Sequence, residues 1–484
     1  MTAWPDYAAR EAALRRIEAQ LATEPDSLAL LLERADLLVG LGQAEAAKTA
    51  YLEILARDAT HFGALNNLGK LAHALGHRSA ARTAFAQAVA HHPDNPLGRV
   101  NLAFALADLK EADAAREQYE AALSLDPTSV EAHQGLANLL REQGYDAAAL
   151  VHWRACFEGR PFKALPYRGA QAPITLLHLA TITGGNVPIE RWLDDRVFQT
   201  IQVAIEFYDP AMTLPPHDLI LQAVGDTDRC PEAVEQAGRL VAVSGAPVIN
   251  RPDAVLRTGR VENAERLGRL PGVRAPHIRL YPRTALAGPE AGSLLAADGF
   301  AFPLLLRSPG YHTGYHFERV ETPDALPAIL AGLPGDTLAV LEFLDARSRD
   351  GKIRKYRAMF VDGATYPLHA AVSQHWKVHY FSADMVENAE HRAEDAAFLA
   401  DMMQVLGSPA MAALDRIRDA LGLDYGGIDF SLDAEGNILL YEANATMVVP
   451  VPGPDPRWDY RRAPVQWVTD AFHAMLITRA RPQG

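Results

Sequence analysis

In the first third of the chain, apolar and small residues recur at helical spacing, and the pattern returns every 34 residues. An aromatic stands at Tyr51, Phe85, Tyr119 and Trp153, and a small residue at Ala35, Gly69, Ala103 and Ala137. A second small residue recurs at Ala47, Ala81, Ala115 and Ala149. Gly42, Gly76 and Gly144 mark a turn, with Lys110 in the same place in the third copy. Pro93, Pro127 and Pro161 close their units, where the first copy has Ala59. This spacing predicts two amphipathic helices per unit. The small residues let the helices approach, the aromatic plugs the seam to the next unit, glycine supplies a positive φ, and proline stops the second helix.

These positions resemble the tetratricopeptide repeat family, with units at 27–60, 61–94, 95–128 and 129–162. Residues 5–25 look like a preceding half unit, because Ala13, Ile17, Leu21 and Pro25 keep the register. The resemblance implies an all-α solenoid over 1–162 whose concave face binds an extended peptide or another protein, the alternative being a packing or dimerisation module. Asn66, Asn67, Asn101 and Asn138 are candidates to face the groove.

After Pro161 short apolar runs alternate with helical stretches, and Gly and Pro become frequent. A boundary is expected near 163–172. The runs 174–182, 201–207, 219–223 and 247–250 read as strands, with a helix over 231–243, so a doubly wound α/β unit is expected over 170–250. The turn Thr183-Gly184-Gly185-Asn186 follows the first of these strands, where most such turns only reverse the chain.

Further on, 425–430 and 439–446 read as two antiparallel strands joined by the tight turn Asp433-Ala434-Glu435-Gly436. Asp429 lies on the first strand, while Glu442 and Asn444, two residues apart, share a face of the second. Three hard oxygen donors in one apolar hairpin suit Mg²⁺ held against nucleotide phosphates. Unpaired acids there would be costly, which disfavours a merely solvated edge.

From about 170 to 455 the chain resembles the ATP-grasp superfamily, most closely its branch of ribosomal protein S6 modification enzymes and glutathione synthetases. The resemblance implies an α/β (α+β) fold: a pre-ATP-grasp domain at 170–250, then nucleotide-binding and catalytic domains over 251–484. Asn250-Arg251-Pro252-Asp253-Ala254 is similar to the entry to the central domain. The family's magnesium ligands are matched by Asp429, Glu442 and Asn444. Its phosphate-binding strand is matched by the run ending at Arg307, followed by a loop with Gly310 and Gly314. Its adenine linker is matched by 340–344, with Glu342, Phe343 and Leu344. Its D-x-R strand is matched by Lys355-Tyr356-Arg357, whose arginine meets an acyl phosphate. Two departures stand out: Arg307 and Arg260 replace lysines, and Lys355 replaces the acid. A guanidinium still binds phosphate, with different geometry.

The implied activity is ATP-dependent carboxylate–amine ligation through an acyl phosphate, with ATP and Mg²⁺ as cofactors and the repeats recruiting a peptide or protein. The alternatives are a nucleotide-binding adaptor and a kinase-like enzyme. His369, His375, Trp376, Lys377, His379 and Tyr380 are candidates for the acceptor pocket; His375 and Lys377 join Arg357 as catalytic candidates. Tyr311, His312 and His316 read as lid packing.

Composition narrows the partners. Across 484 residues, 46 Lys plus Arg stand against 60 Asp plus Glu, a net charge of −14, which disfavours a phosphate-neutralising nucleic-acid surface. Cys156 and Cys230 make no disulfide framework, and neither an apolar leader nor a membrane-spanning run is legible. A cytoplasmic protein is expected.

Overall fold

A computed structural model describes residues 5–311, 314–378 and 383–481 and divides into two compact units between Arg160 and Pro161. The first unit is helical throughout. Its described helices are α1 (Pro5–Leu21), α2 (Leu28–Gly40), α3 (Ala44–Arg57), α4 (Phe62–Ala74), α5 (Arg78–His91), α6 (Pro96–Asp108), α7 (Ala112–Leu125), α8 (Val130–Glu142) and α9 (Asp146–Phe157). The expected units map onto α2/α3, α4/α5, α6/α7 and α8/α9, with α1 as the half unit.

Local chemistry starts these helices. The Asn95 and Ser129 side chains accept hydrogen bonds from the Gly98 and Ala132 amides, and Pro96 opens α6. Two glycines meet the repeat aromatics directly. A methyl group at Gly69 would lie 2.5 Å from the Phe85 ring, and one at Gly135 would overlap Tyr119. Every turn takes the left-handed region, with φ of 72° at Gly42, 81° at Gly76, 66° at Lys110 and 81° at Gly144. Of the groove candidates, Asn101 donates to Asn66 (2.6 Å), Asn66 to Asn67 (3.1 Å), and Asn67 to Asp36 (2.9 Å), whereas Asn138 is exposed.

The second unit holds three sheets. The first contains β1 (Phe162–Ala164), β2 (Ile174–Ala180), β3 (Phe198–Ala204), β4 (Leu219–Gln222) and β5 (Val248–Ile249), in the order β1-β3-β2-β4-β5. Only β1 runs antiparallel to its neighbour. The expectation of a doubly wound unit is corrected here. Helix α10 (Pro231–Val243) joins β4 to β5, but the connections from β2 to β3 and from β3 to β4 contain only short 3₁₀ turns. The first carries Gly184, Gly185 and Pro188, and the second Pro210, Pro215 and Pro216, which break up helical runs in both.

The second sheet has β7 (Ile278–Pro282), β8 (Leu304–Arg307), β9 (Phe317–Val320) and β10 (Thr337–Glu342), ordered β7-β10-β8-β9 and wholly antiparallel. The third has β6 (Val273–Arg274), β11 (Ile353–Val361), β12 (Ala364–Ser373), β13 (Tyr425–Leu432) and β14 (Ile438–Asn444), ordered β12-β11-β13-β14-β6. One continuous core joins the first and third sheets, running from Leu176 and Leu221 to Met359, Phe430 and Phe472. The expected boundary between 250 and 251 lies within this second unit. Asn250 clamps the join: its amide nitrogen donates to the Tyr425 carbonyl (2.7 Å), and its side-chain oxygen accepts from the Tyr425 N–H (2.9 Å). Among the described residues no single helix is long and apolar enough to cross a membrane.

Lys110 is the one strained turn in the repeats, because a side chain at positive φ costs about 1 kcal/mol. Its ammonium lies 3.8 Å from Glu142 in an exposed pair of little worth. Lys110→Gly is therefore expected to stabilise the third unit by about 1 kcal/mol. Slower amide exchange along α6 and α7 in the full chain is the readout; faster exchange would mean that the ion pair outweighs the strain.

Candidate functional site

The site grows out of strand pairing in the third sheet. His369 of β12 faces Arg357 of β11, Arg357 faces Asp429 of β13, and Asp429 faces Glu442 of β14. Directly opposed residues share a face, so four titratable side chains form a row across four strands. The ladder shifts beside this row twice, between Arg357 and Ala358 against β12 and between Asp429 and Phe430 against β14. The second shift makes Tyr441 the extra residue and brings Glu442, then Asn444, round to the face of Asp429.

Asp429 is 1% exposed. Arg357 grips it with Nε at 2.5 Å and Nη2 at 2.8 Å, and Lys355, two residues away on the same strand, adds Nζ at 2.7 Å. Burial pushes the Asp429 carboxyl pKa upward, but Arg357 and then Lys355 more than reverse this and hold it well below the carboxylate range. Glu442 receives Arg260 Nη2 at 2.7 Å and the Asn444 amide at 3.0 Å. Burial raises its pKa, and Arg260 and Arg307 bring it below the ordinary value.

A cavity of about 620 Å³ opens over this row. Of the residues expected from the sequence, Arg307, Gly314, Glu342, Phe343, Leu344, Lys355, Arg357, Lys377, Asp429, Glu442 and Asn444 line it. Arg307 ends β8, and its pKa is brought down to about 10 by burial and by neighbouring Arg260. Its guanidinium donates to the Tyr311 carbonyl. Gly310 lines a smaller adjoining cavity of about 140 Å³, which Arg307 and Glu442 also reach. Glu342 ends β10, where it accepts from Arg274 (2.8 Å) and the His277 N–H (3.1 Å). Lys377 donates to the Phe317 carbonyl (2.8 Å), and Trp376 packs edge-on against Phe317 and Phe343.

Other expectations fall away from the cavity. His375 is exposed and does not line it. The His369 imidazole is buried, and burial together with Arg357 holds its pKa well below the usual histidine value. Tyr311 and His316 stack edge-on with ring centres 4.4 Å apart, consistent with lid packing. His312, His379 and Tyr380 lie outside the described residues.

Sequence reasoning missed Asp226 and Arg229 and treated the turn containing Asn186 as a chain reversal, yet all three line the cavity. They follow β2 and β4, at the carboxyl ends of parallel strands where open α/β sheets bind ligands. That position was the available signal. Among the described residues, no group of three or more His, Cys, Asp or Glu side chains stands together as a metal centre.

A tetratricopeptide repeat family model matches residues 72–139, within the helical unit. Solved structures similar to the chain include MamA from Desulfovibrio magneticus RS-1, 22% identical over 30% of this chain and 83% of that one, with a TM-score of 0.28. A thermophilic tetratricopeptide repeat protein of Thermus thermophilus is 23% identical over 30% of this chain and 81% of its own, also with a TM-score of 0.28. None of the curated proteins matches the chain. The amino-terminal unit is thus a tetratricopeptide-like repeat array, which suggests a protein-interaction role, beside a mixed α/β unit.

Asp429→Asn should leave Lys355 and Arg357 as neighbouring buried cations and destabilise the second unit by about 3 kcal/mol, the scale for breaking a buried ion pair. The sign of the pH dependence follows from the lowered carboxyl pKa. The wild-type contribution is complete above about pH 4, the unfolded aspartate value, and is lost as pH falls towards the lower folded value. Thermal melts from pH 3 to 7 should show this acid-side slope in the wild type and a shallower one in Asp429→Asn.

Proposed function

We propose that the second unit is an ATP-grasp ligase, which uses ATP to activate a carboxylate as an acyl phosphate and joins it to an amine, and that the repeats recruit a peptide or protein substrate. The observation that carries this reading is the row Arg357, Asp429, Glu442 lining one cavity with Arg307 and Glu342. Its volume lies within the range of small-molecule sites.

The chain's own residues divide the work. Arg307 and the turn around Gly310 and Gly314 hold the phosphates, and backbone groups at Phe343 and Leu344 with Glu342 read the base. Arg357, fixed by Asp429, faces the developing acyl phosphate, and Lys377, held against the Phe317 carbonyl beside Gly314, adds a cation on the phosphate side. In the first half-reaction a carboxylate oxygen attacks the γ-phosphorus and ADP leaves. In the second the amine attacks the acyl carbon, phosphate leaves and the amine loses a proton. Glu442 fits Mg²⁺ as a hard oxygen donor, with Arg260 and the Asn444 amide both on one of its oxygens, whereas the Asn444 oxygen accepts from the Thr446 N–H (2.9 Å) and hydroxyl (3.0 Å) and both oxygens of Asp429 carry cationic partners. When bound, the metal would neutralise phosphate charge. His375, exposed and away from the cavity, is assigned no role.

ADP release that requires both a carboxylate and an amine would support ligation over a kinase or a nucleotide-binding adaptor. Glu442→Gln should lower that release by about a hundredfold in a folded protein, in keeping with loss of one preorganised electrostatic contact; wild-type ADP production would overturn the assignment. A second experiment tests recruitment. Deleting residues 1–160 retains β1, which pairs with β3, and should leave ATP affinity unchanged while raising KM for the native substrate. Full efficiency in a folded truncation would overturn the recruiting role.

A further inference from the structure

The two carboxylates of the row are already matched by more positive charge than they carry. Asp429 receives Arg357 at 2.5 Å on one oxygen, and Arg357 at 2.8 Å and Lys355 at 2.7 Å on the other. Glu442 receives Arg260 at 2.7 Å. Three cations stand in direct contact with two carboxylates, and Arg307 faces the same cavity. The cluster is well shielded from water: side-chain exposure is 19% for Lys355, 20% for Arg357, 17% for Arg260 and 2% for Asp429. Charge in so dry a site is poorly screened, so the surplus acts on whatever enters.

The surplus discriminates between ligands. A hard dication at Asp429 would have to sit within bonding distance of an ammonium and a guanidinium already on its oxygens, and their charge opposes it. A polyphosphate has no such obstacle and meets cations already in place. Lys355 supplies the excess at these contacts, since an uncharged residue there would leave two cations on two carboxylates with Arg307 alongside, and an acid would set a second carboxylate beside Asp429.

We propose that Lys355 is a resident cation, holding the edge of Asp429 that a divalent ion would otherwise use, so that the chain binds a nucleoside triphosphate without a metal on Asp429. This rests on the nucleotide reading above. It makes affinity for the triphosphate largely independent of divalent ions, any metal entering on the Glu442 side.

The test is calorimetric titration of the full-length protein with the non-hydrolysable ATP analogue AMP-PNP, in Mg²⁺ and in EDTA. Wild-type affinities in the two buffers should agree within about threefold. Lys355→Met should weaken binding in EDTA by about tenfold, the scale of one charge-assisted contact, and Mg²⁺ should restore most of it. Lys355→Asp should bind only with Mg²⁺, and Mn²⁺ followed by electron paramagnetic resonance should show one more tightly bound ion than in wild type. A wild-type protein that loses AMP-PNP when Mg²⁺ is removed overturns the proposal, whether or not the variants fold. So does a folded Lys355→Met protein with wild-type metal dependence. Binding in neither buffer by wild type would overturn the nucleotide reading, and the proposal with it.

Discussion

A carboxylate cut off from water stays ionised only if positive charge is buried with it, and Asp429 brings in two cations. The need is met within the sheet. Arg357 lies directly across the ladder on β11, and Lys355 stands two residues along the same strand, so one strand supplies both partners without any loop having to order. Glu442 repeats the arrangement with a partner from elsewhere, Arg260 at the start of the helix Arg260–Leu267. Breaking any of these pairs strands a charge, which costs far more than an exposed pair would. The geometry of the cavity floor is therefore tied to the stability of the sheet.

The repeat unit rests on a different constraint, the fit of a small residue against a ring. Gly69 against Phe85 of its own unit, and Gly135 against Tyr119 of the unit before, leave no room for a methyl group. The small and aromatic positions that recur every 34 residues are local and periodic, so they were legible in the sequence and mark the helix pairs α2/α3 to α8/α9. The turn at Lys110 was legible as a position but not as a conformation, since only the structure shows lysine taking the φ its neighbours assign to glycine.

In the second unit, legibility followed sequence distance. The pairing of Asp429 with Glu442 could be read because 13 residues and a tight turn connect them. The grip of Arg357 on Asp429 spans 72 residues, and that of Arg260 on Glu442 spans 182, so neither leaves a periodic trace. The helix over 231–243 was legible from its apolar spacing, but the doubly wound expectation went beyond it, since no helical run had been read after β2 or β3. His375 was singled out for the chemical type of its side chain, and type alone carries no information about which way a loop turns.

The extra residue at Tyr441 makes register, and not length alone, the quantity this hairpin has to hold. On one side of it Phe430 pairs with Leu440; on the other Asp429 pairs with Glu442. Were one residue lost between 438 and 441, the ladder would close without a bulge and Glu442 would still meet Asp429. Were the bulge instead to close by pairing Tyr441 with Asp429, Glu442 and Asn444 would turn to the opposite face while the strands still paired. A slip of one step would therefore erase the site and spare the sheet.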